Sequence, residues 1–210
     1  MRVVTLANVK GGVGKSTICS ALAVRAAEGG QKVAMLDLDG QETLSSWWVR
    51  RGRGKNPKLI EVDAATEAIE LLLAEGWHWA LIDTGPAKLD SIEPAVAVAD
   101  LVLIPTRPSA FDIEQAAIIV EMCENHGKKH AFVLNAVPSG SAKLLKSSVA
   151  FLRQNGFTVL DPHVAVRTAY AAAVTVGKSG PEVDKSEVAR REIDALWEAV
   201  LEILTETVPA

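Results

Sequence analysis

The chain has 210 residues, 49% hydrophobic and 23% charged, with a formal net charge of −4. That length supports one ordinary hydrophobic core. No window reaches the roughly 18 uninterrupted apolar residues of a helical membrane span, and the first residues lack the charged-then-apolar pattern of a secretory leader. One cytoplasmic domain over residues 1–210 is therefore expected. Cys19 and Cys123 fall in helix-period stretches without partners at metal-ligand spacing, which argues against zinc and iron–sulfur sites and predicts buried, reduced thiols.

In chain order, an apolar run at 3–7 reads as a strand, and a helix-period stretch covers 16–28. Between them lies Lys10-Gly11-Gly12-Val13-Gly14-Lys15-Ser16-Thr17. Glycines let backbone N–H groups converge on phosphate oxygens, and a lysine and a hydroxyl at a helix start complete a phosphate-cradling loop. Lys15 suits the β- and γ-phosphates, Ser16 a Mg²⁺ ion and Thr17 the α-phosphate, with Gly11, Gly12, Val13 and Gly14 contributing backbone. The usual spacing places a glycine where this chain has Val9, and Lys10 beside it is one lysine more than such a loop needs.

A second strand at 32–36 leads into Asp37-Leu38-Asp39-Gly40-Gln41. Carboxylates two residues apart at a strand end point to the same side, toward the edge where α/β proteins bind ligands. Trp47 and Trp48 follow closely. Core, subunit interface and partner surface are all open to them; neighbours on one helix diverge, and their nearness to the carboxylates favours a nucleotide-sensitive interface. The run Arg50-Arg51-Gly52-Arg53-Gly54-Lys55, with Lys58, contains no acid; such runs are most often solvated faces. After a strand at 59–62 and a helix at 65–75, an apolar strand at 79–83 ends in Asp83 and the turn Thr84-Gly85-Pro86. A carboxylate closing such a strand is the second metal signature of phosphate-loop proteins, holding Mg²⁺ through water, and the turn is placed to sense the γ-phosphate.

Beyond a helix at 91–98, a strand at 101–105 passes into Pro105-Thr106-Arg107-Pro108-Ser109 and a helix at 109–125. Ser109 and Asp112 have the spacing of a capping box, giving Asp112 a structural role. A strand at 131–135 ends in Asn135; a helix at 143–155, a strand at 157–160 and a final helix at 186–207 complete the chain. Strands alternating with helices predict a three-layer α/β/α fold with a mostly parallel, twisted sheet of about seven strands.

The loop with Lys10 and Lys15, the Asp37–Asp39 box, the Asp83 strand, the Pro105–Pro108 segment and the closing helix after Ser179-Gly180-Pro181 span nearly the whole chain. Together they resemble the ParA/MinD class of deviant Walker A ATPases, most nearly the short, ParF-like (type Ib) ParA partition ATPases without an N-terminal helix-turn-helix. The resemblance implies a P-loop NTPase fold, ATP or ADP with Mg²⁺ as ligands, and weak intrinsic hydrolysis of ATP to ADP and phosphate. It implies that Lys10 reaches the nucleotide of a partner subunit in an ATP-dependent homodimer, and that Asp39 orients or activates the attacking water. Asp37 would act near a metal held by Ser16 and Asp83. Pro105, Pro108 and Asn135 would border the adenine, although Pro108 equally suits a helix start and Asn135 a turn. Gly40 and Gly85 stand where relatives commonly have proline.

The family also binds DNA without sequence preference, which points to Arg167, Lys178, Lys185, Arg190 and Arg191 as phosphate contacts. The implied cycle is an ATP-bound dimer on nucleoid DNA, hydrolysis stimulated by a ParB-like or other cargo adaptor, and release as ADP forms, segregating a plasmid or chromosome. An alternative keeps this cycle and changes the cargo to a protein assembly such as a carboxysome, a chemoreceptor cluster or a conjugation apparatus. A metabolic ATP-dependent synthetase or amidoligase fits less well, because little sequence is left for a second substrate. A MinD-like membrane regulator also fits less well: residues 193–207 carry acids and no Lys or Arg, which anionic lipid would repel.

Overall fold

The computed structural model describes residues 1–62, 64–86 and 89–206. Among them six strands form one sheet: β1 (Arg2–Leu6), β2 (Val33–Leu38), β3 (Lys58–Leu59), β4 (Trp79–Thr84), β5 (Leu101–Thr106) and β6 (Lys129–Leu134). Every pairing is parallel, in the order β3-β2-β4-β1-β5-β6. The helices are α1 (Lys15–Glu28), α2 (Thr43–Arg50), α3 (Ala65–Ala74), α4 (Leu89–Ala97), α5 (Ala110–Asn125), α6 (Ala142–Gln154), α7 (Thr168–Thr175), α8 (Gly180–Val183) and α9 (Val188–Thr205).

Strand side chains alternate between two covered faces, so each strand reads as an unbroken apolar run. Val4, Leu6, Met35, Leu81, Leu103 and Val133 enter the core formed with α1, α2 and α9. Their sequence neighbours point the other way: Leu36 and Ile82 pack with α3, and Ile104 and Phe132 pack with α4, α5 and α6. Trp197 of α9 meets Trp79 of β4 with ring centroids 4.5 Å apart, pinning the last helix to the sheet. Such a pair adds about 1 kcal/mol beyond the area it buries.

The expected seventh strand at 157–160 does not form. Phe132 receives a bond from Leu160 and donates one to Thr158, but the only bridges beyond β6 among the described residues are isolated ones at Val159 and Ala165. Asp161-Pro162 follows the segment directly, and proline lacks the N–H that would continue the ladder beyond Leu160. Three short helices carry weaker periodic signals: α2, which holds Trp47 and Trp48, and the unforeseen α7 and α8. Ser109 precedes α5 with extended backbone, but no side-chain cap bond forms there. The expected capping box is replaced by an ion pair, because Asp112 takes the Lys10 ammonium instead.

At the start of α9 the Asp184 carboxylate accepts the Ala189 N–H at 2.7 Å and the Ser186 N–H at 2.9 Å. These bonds satisfy orphan donors at a helix N-terminus and favour the charged acid, holding its pKa down at about 2. The folded value lies below the unfolded one, so this stabilisation is complete above the ordinary aspartate pKa and fades as pH falls toward 2. Asp184→Asn is expected to lower urea resistance at pH 7, with the gap to the wild type narrowing as pH falls from about 4 toward about 2. A gap independent of pH would show that the charge contributes nothing.

Candidate functional site

β1 ends at the middle of the sheet, and the chain leaves it through a glycine loop that becomes α1. Gly12 and Gly14 have φ of +70° and +96°, a region costly for residues with a Cβ. The loop is held open by polar side chains from three directions. Asn8, fully buried, donates Nδ2 to the Pro105 carbonyl at 2.8 Å and accepts the Lys10 N–H at 2.8 Å. Asn135, at the end of β6, donates Nδ2 to the Val13 carbonyl at 2.7 Å. Arg107 donates Nη2 to the Gly12 carbonyl at 2.8 Å. Behind the loop there is no room to spare, since a Cβ on Gly14 would stand 2.0 Å from Asn135 Nδ2.

Lys15, 6% exposed, turns its ammonium onto the carbonyls of Asn8 and Lys10, each at 3.1 Å. Burial lowers its pKa, opposed by the carboxylates of Asp83 and Asp39. Asp83 is fully buried, and neither of its oxygens has a hydrogen-bond partner among the described residues. Burial raises its pKa to about 7, with Ser16 and Lys15 favouring the charged form and Asp37 and Asp39 opposing it.

Asp39 and Gln41 face the loop across a cleft of about 300 Å³ bounded by Gly11, Gly14, Lys15 and Ser16, with Pro86 on its rim. Asp39 Oδ1 accepts the Gln41 N–H at 3.0 Å, an Asx turn that leaves its other oxygen to the cleft. Gly85 packs closely against this turn: a Cβ there would lie 3.2 Å from Asp39 Oδ1, so Asp39 would have to give by a few tenths of an ångström. Asp37 has a structural task, accepting the Ser45 N–H at 2.7 Å and the Ser45 hydroxyl at 2.8 Å in the first turn of α2.

Not all of the sequence-predicted residues converge on this cleft. Lys15, Ser16, Thr17, the glycines and Asp39 line it, and Asp83 lies buried beneath. The Thr84 hydroxyl donates to the Leu6 carbonyl at 2.9 Å, while Pro86 of the same turn lines the cleft. Pro105 sits inside β5 in register with Val133, and neither it nor Pro108 lines the clefts beside the loop. Asn135 does line a second cleft of about 290 Å³ on the other flank, together with Ala136, Val166, Arg167 and Tyr170.

The two tryptophans are not an exposed interface. Trp47 is buried with Nε1 on the Lys178 carbonyl at 2.9 Å, and Trp48 donates to the Gly54 carbonyl at 3.2 Å. Of the five basic residues expected on DNA, Arg167 is paired with Glu192 and Arg190 with Glu28; Lys178, Lys185 and Arg191 are exposed. Both cysteines are buried thiols, with burial pushing Cys123 up to about 12.

Sequence reasoning missed Asn8 and Arg107. Their signals were present: an asparagine two places before Lys10, and an arginine between two prolines.

Among the described residues no group of three or more His, Cys, Asp or Glu could cage a metal. Mg²⁺ does not need one. It takes one or two protein oxygens and fills its shell with phosphate and water. The buried Asp83 carboxylate, with the Ser16 hydroxyl beside it favouring the charged form, fits that requirement.

Residues 4–179 match the family described as the CobQ/CobB/MinD/ParA nucleotide binding domain. The chain belongs to that family. It is 31% identical over 189 residues to Protein ParA of Rhizobium radiobacter, covering 84% of each chain. To the maintenance of carboxysome distribution protein A of Gloeobacter kilaueensis it is 30% identical over 193 residues, covering 85% of this chain and 83% of that one. A putative plasmid partition protein of Borrelia burgdorferi bound to AMPPNP superposes with a TM-score of 0.77 at 16% identity, covering 96% of this chain and 98% of that one. The last likeness establishes the shared fold.

In a ParA/MinD-type loop, Gly14→Ala meets two obstacles: a φ of +96° and the Asn135 amide. ATP affinity is expected to fall about 100-fold or more by calorimetry, from strain on the order of 1–3 kcal/mol plus the displaced backbone. Adding Asn135→Ala removes the clash but not the strain, so the double variant should recover only part of the loss. Additive effects of the two changes would rule out their contact as a cause.

Proposed function

We propose that this protein is a ParA-type ATPase that uses ATP and Mg²⁺ to join two copies face to face, binds DNA in that state without sequence preference, and resets on hydrolysis. The observation that carries this reading is the divergence of the two loop lysines. Lys15 is buried inside its own loop, where it would neutralise β- and γ-phosphates. Lys10 points out instead, its side chain 30% exposed, its ammonium held by Asp112 and 5.6 Å from the centre of the Phe111 ring. A lysine in that position can leave Asp112 for a phosphate on a second chain.

Hydrolysis needs a water aligned with the γ-phosphate and stabilisation of charge on the transferred group. Asp39 is the carboxylate on the cleft and would orient that water. Lys15, the α1 N-terminus and Lys10 of the opposing copy would carry the developing negative charge. Ser16 and Asp83 would hold Mg²⁺, whose positive charge would offset the negative charge of the phosphates. The cleft beside Asn135 and Val166 is the place for the base, with Asn135 buttressing the loop at the same time.

The ParA relative supports a DNA cargo moved with a ParB-like adaptor. The carboxysome distribution relative, similar over nearly the same span, supports a second reading in which the same cycle positions a protein assembly. In α9 the apolar stripe Ile193, Leu196, Trp197, Val200 and Leu204 is spent on the core, which favours DNA over a membrane as the surface on which the protein works.

Lys10→Ala should bind ATP within about threefold of the wild type yet remain monomeric with ATP and Mg²⁺ in light scattering, whereas Lys15→Ala should lose nucleotide altogether. A Lys10→Ala chain that still dimerises with ATP would refute the assignment. Asp39→Ala is expected to keep the dimer and lower kcat about 100-fold, read by phosphate release. Unchanged turnover would remove Asp39 from the chemistry.

A further inference from the structure

Arg25, Arg153, Arg167 and Arg190 are each neutralised by an acid. The C-terminal end of α2 is arranged differently. Arg50, Arg53 and Lys55 are exposed there, and none is ion-paired among the described residues. The acid that touches this junction, Glu182, is taken up by both Nη atoms of Arg51, at 2.8 and 2.9 Å, and by Ser179.

This end of α2 is clamped to the turn between α7 and α8. Trp47 Nε1 donates to the Lys178 carbonyl at 2.9 Å, Arg50 Nε to the Val174 carbonyl at 3.0 Å and Arg51 Nη1 to the Gly177 carbonyl at 3.1 Å. The backbones approach so closely that a Cβ on Gly177 would stand 2.1 Å from the Arg51 nitrogen. The exposed Lys178 is thereby set beside the α2 cations. A cation in the last turn of a helix is ordinary complementation of its dipole, which accounts for Arg50 alone. Arg53 and Lys55 lie beyond the helix, and Arg53 occupies the left-handed region at φ +54°, at a cost of about 1 kcal/mol that a glycine would avoid.

The other end of the same short helix is fixed by Asp37, which holds Ser45 and neighbours Asp39 of the nucleotide cleft. An eight-residue helix spans about 12 Å. One rigid element thus joins the nucleotide carboxylates to an unneutralised cationic surface.

We propose that Arg50, Arg53, Lys55 and Lys178 form the surface that contacts the phosphate backbone of duplex DNA, and that α2 ties its placement to the nucleotide site. This rests on the DNA-binding reading above and moves the main contacts from the C-terminal helix, where Arg190 is paired with Glu28 and Arg191 is exposed, to the end of α2, where the exposed cations are tied to the nucleotide site. The exposed apolar groups flanking the patch are Val49 and Val176, too little area to anchor the chain in lipid.

The test is fluorescence anisotropy of the full chain with Mg²⁺ and a non-hydrolysable ATP analogue, titrated with two duplexes of unrelated sequence across a salt series. R53A/K55A alters exposed side chains that have no ion pair among the described residues, and circular dichroism checks its fold. It is expected to weaken both duplexes equally, about fivefold or more, and to reduce the salt slope by about 0.9 for each DNA phosphate left unneutralised. K178A should do the same to a smaller degree, and K185A/R191A should stay within about twofold of the wild type. Wild-type affinity in R53A/K55A, or weakening confined to K185A/R191A, would overturn the location. Binding of the wild type to phosphatidylglycerol vesicles through Arg53 and Lys55, uncontested by DNA, would overturn the ligand. A wild type that binds neither duplex in any nucleotide state would instead refute DNA binding itself, a result distinct from a misplaced surface.

Discussion

Two opposite charges buried at one end of a parallel sheet govern this molecule. Lys15 and Asp83 are both withdrawn from water, and burial moves each toward its neutral form, Lys15 downward and Asp83 up to about 7. Charges in a low-dielectric interior are tolerated only when partners surround them. Lys15 finds two backbone carbonyls, and Asp83 finds no hydrogen bond among the described residues. A nucleotide supplies the anion that suits the lysine, and a divalent cation accompanying it would suit the carboxylate. Such a site is costly to maintain without a ligand.

The surrounding structure keeps that arrangement from collapsing. Asn8, Asn135 and Arg107 come from the ends of β1, β6 and β5, and each bonds backbone at or beside the loop. Three strands therefore fix a segment that has no regular structure of its own. The order of the sheet matters here, because β1 lies between β4 and β5, with β6 next beyond β5. Asp37 and Asp83 are direct register partners across β2 and β4, which explains how two carboxylates distant in sequence share one electrostatic site.

Much of this was legible because the loop residues are contiguous. Glycines, lysine and hydroxyl at fixed spacing do their work locally, so their identity carries their role. Asn8 and Arg107 were easy to pass over, because their position in the chain is visible but their hydrogen bonds reach across the sheet: Asn8 to Pro105 and Arg107 to Gly12. The role of the Pro105 carbonyl was equally hidden. A proline near a loop suggests a ligand frame, and only the folded chain shows that its carbonyl also serves Asn8 from within a buried strand. The seventh strand failed where Asp161-Pro162 broke a run whose first half reads as β, and Trp47 was placed at an interface although its indole is spent on the Lys178 carbonyl.

The sequence by itself determined the alternation of strands and helices, the phosphate loop and the carboxylates that follow β2 and β4, because each rests on periodicity or on spacing within a few residues. Only the tertiary structure decided which charges remain available. It pairs Arg167 and Arg190 with acids, turns Lys10 onto Asp112, and leaves Arg53 and Lys55 without an ion pair among the described residues. Pairing depends on distance between elements remote in sequence, and a charge count along the chain carries no such information.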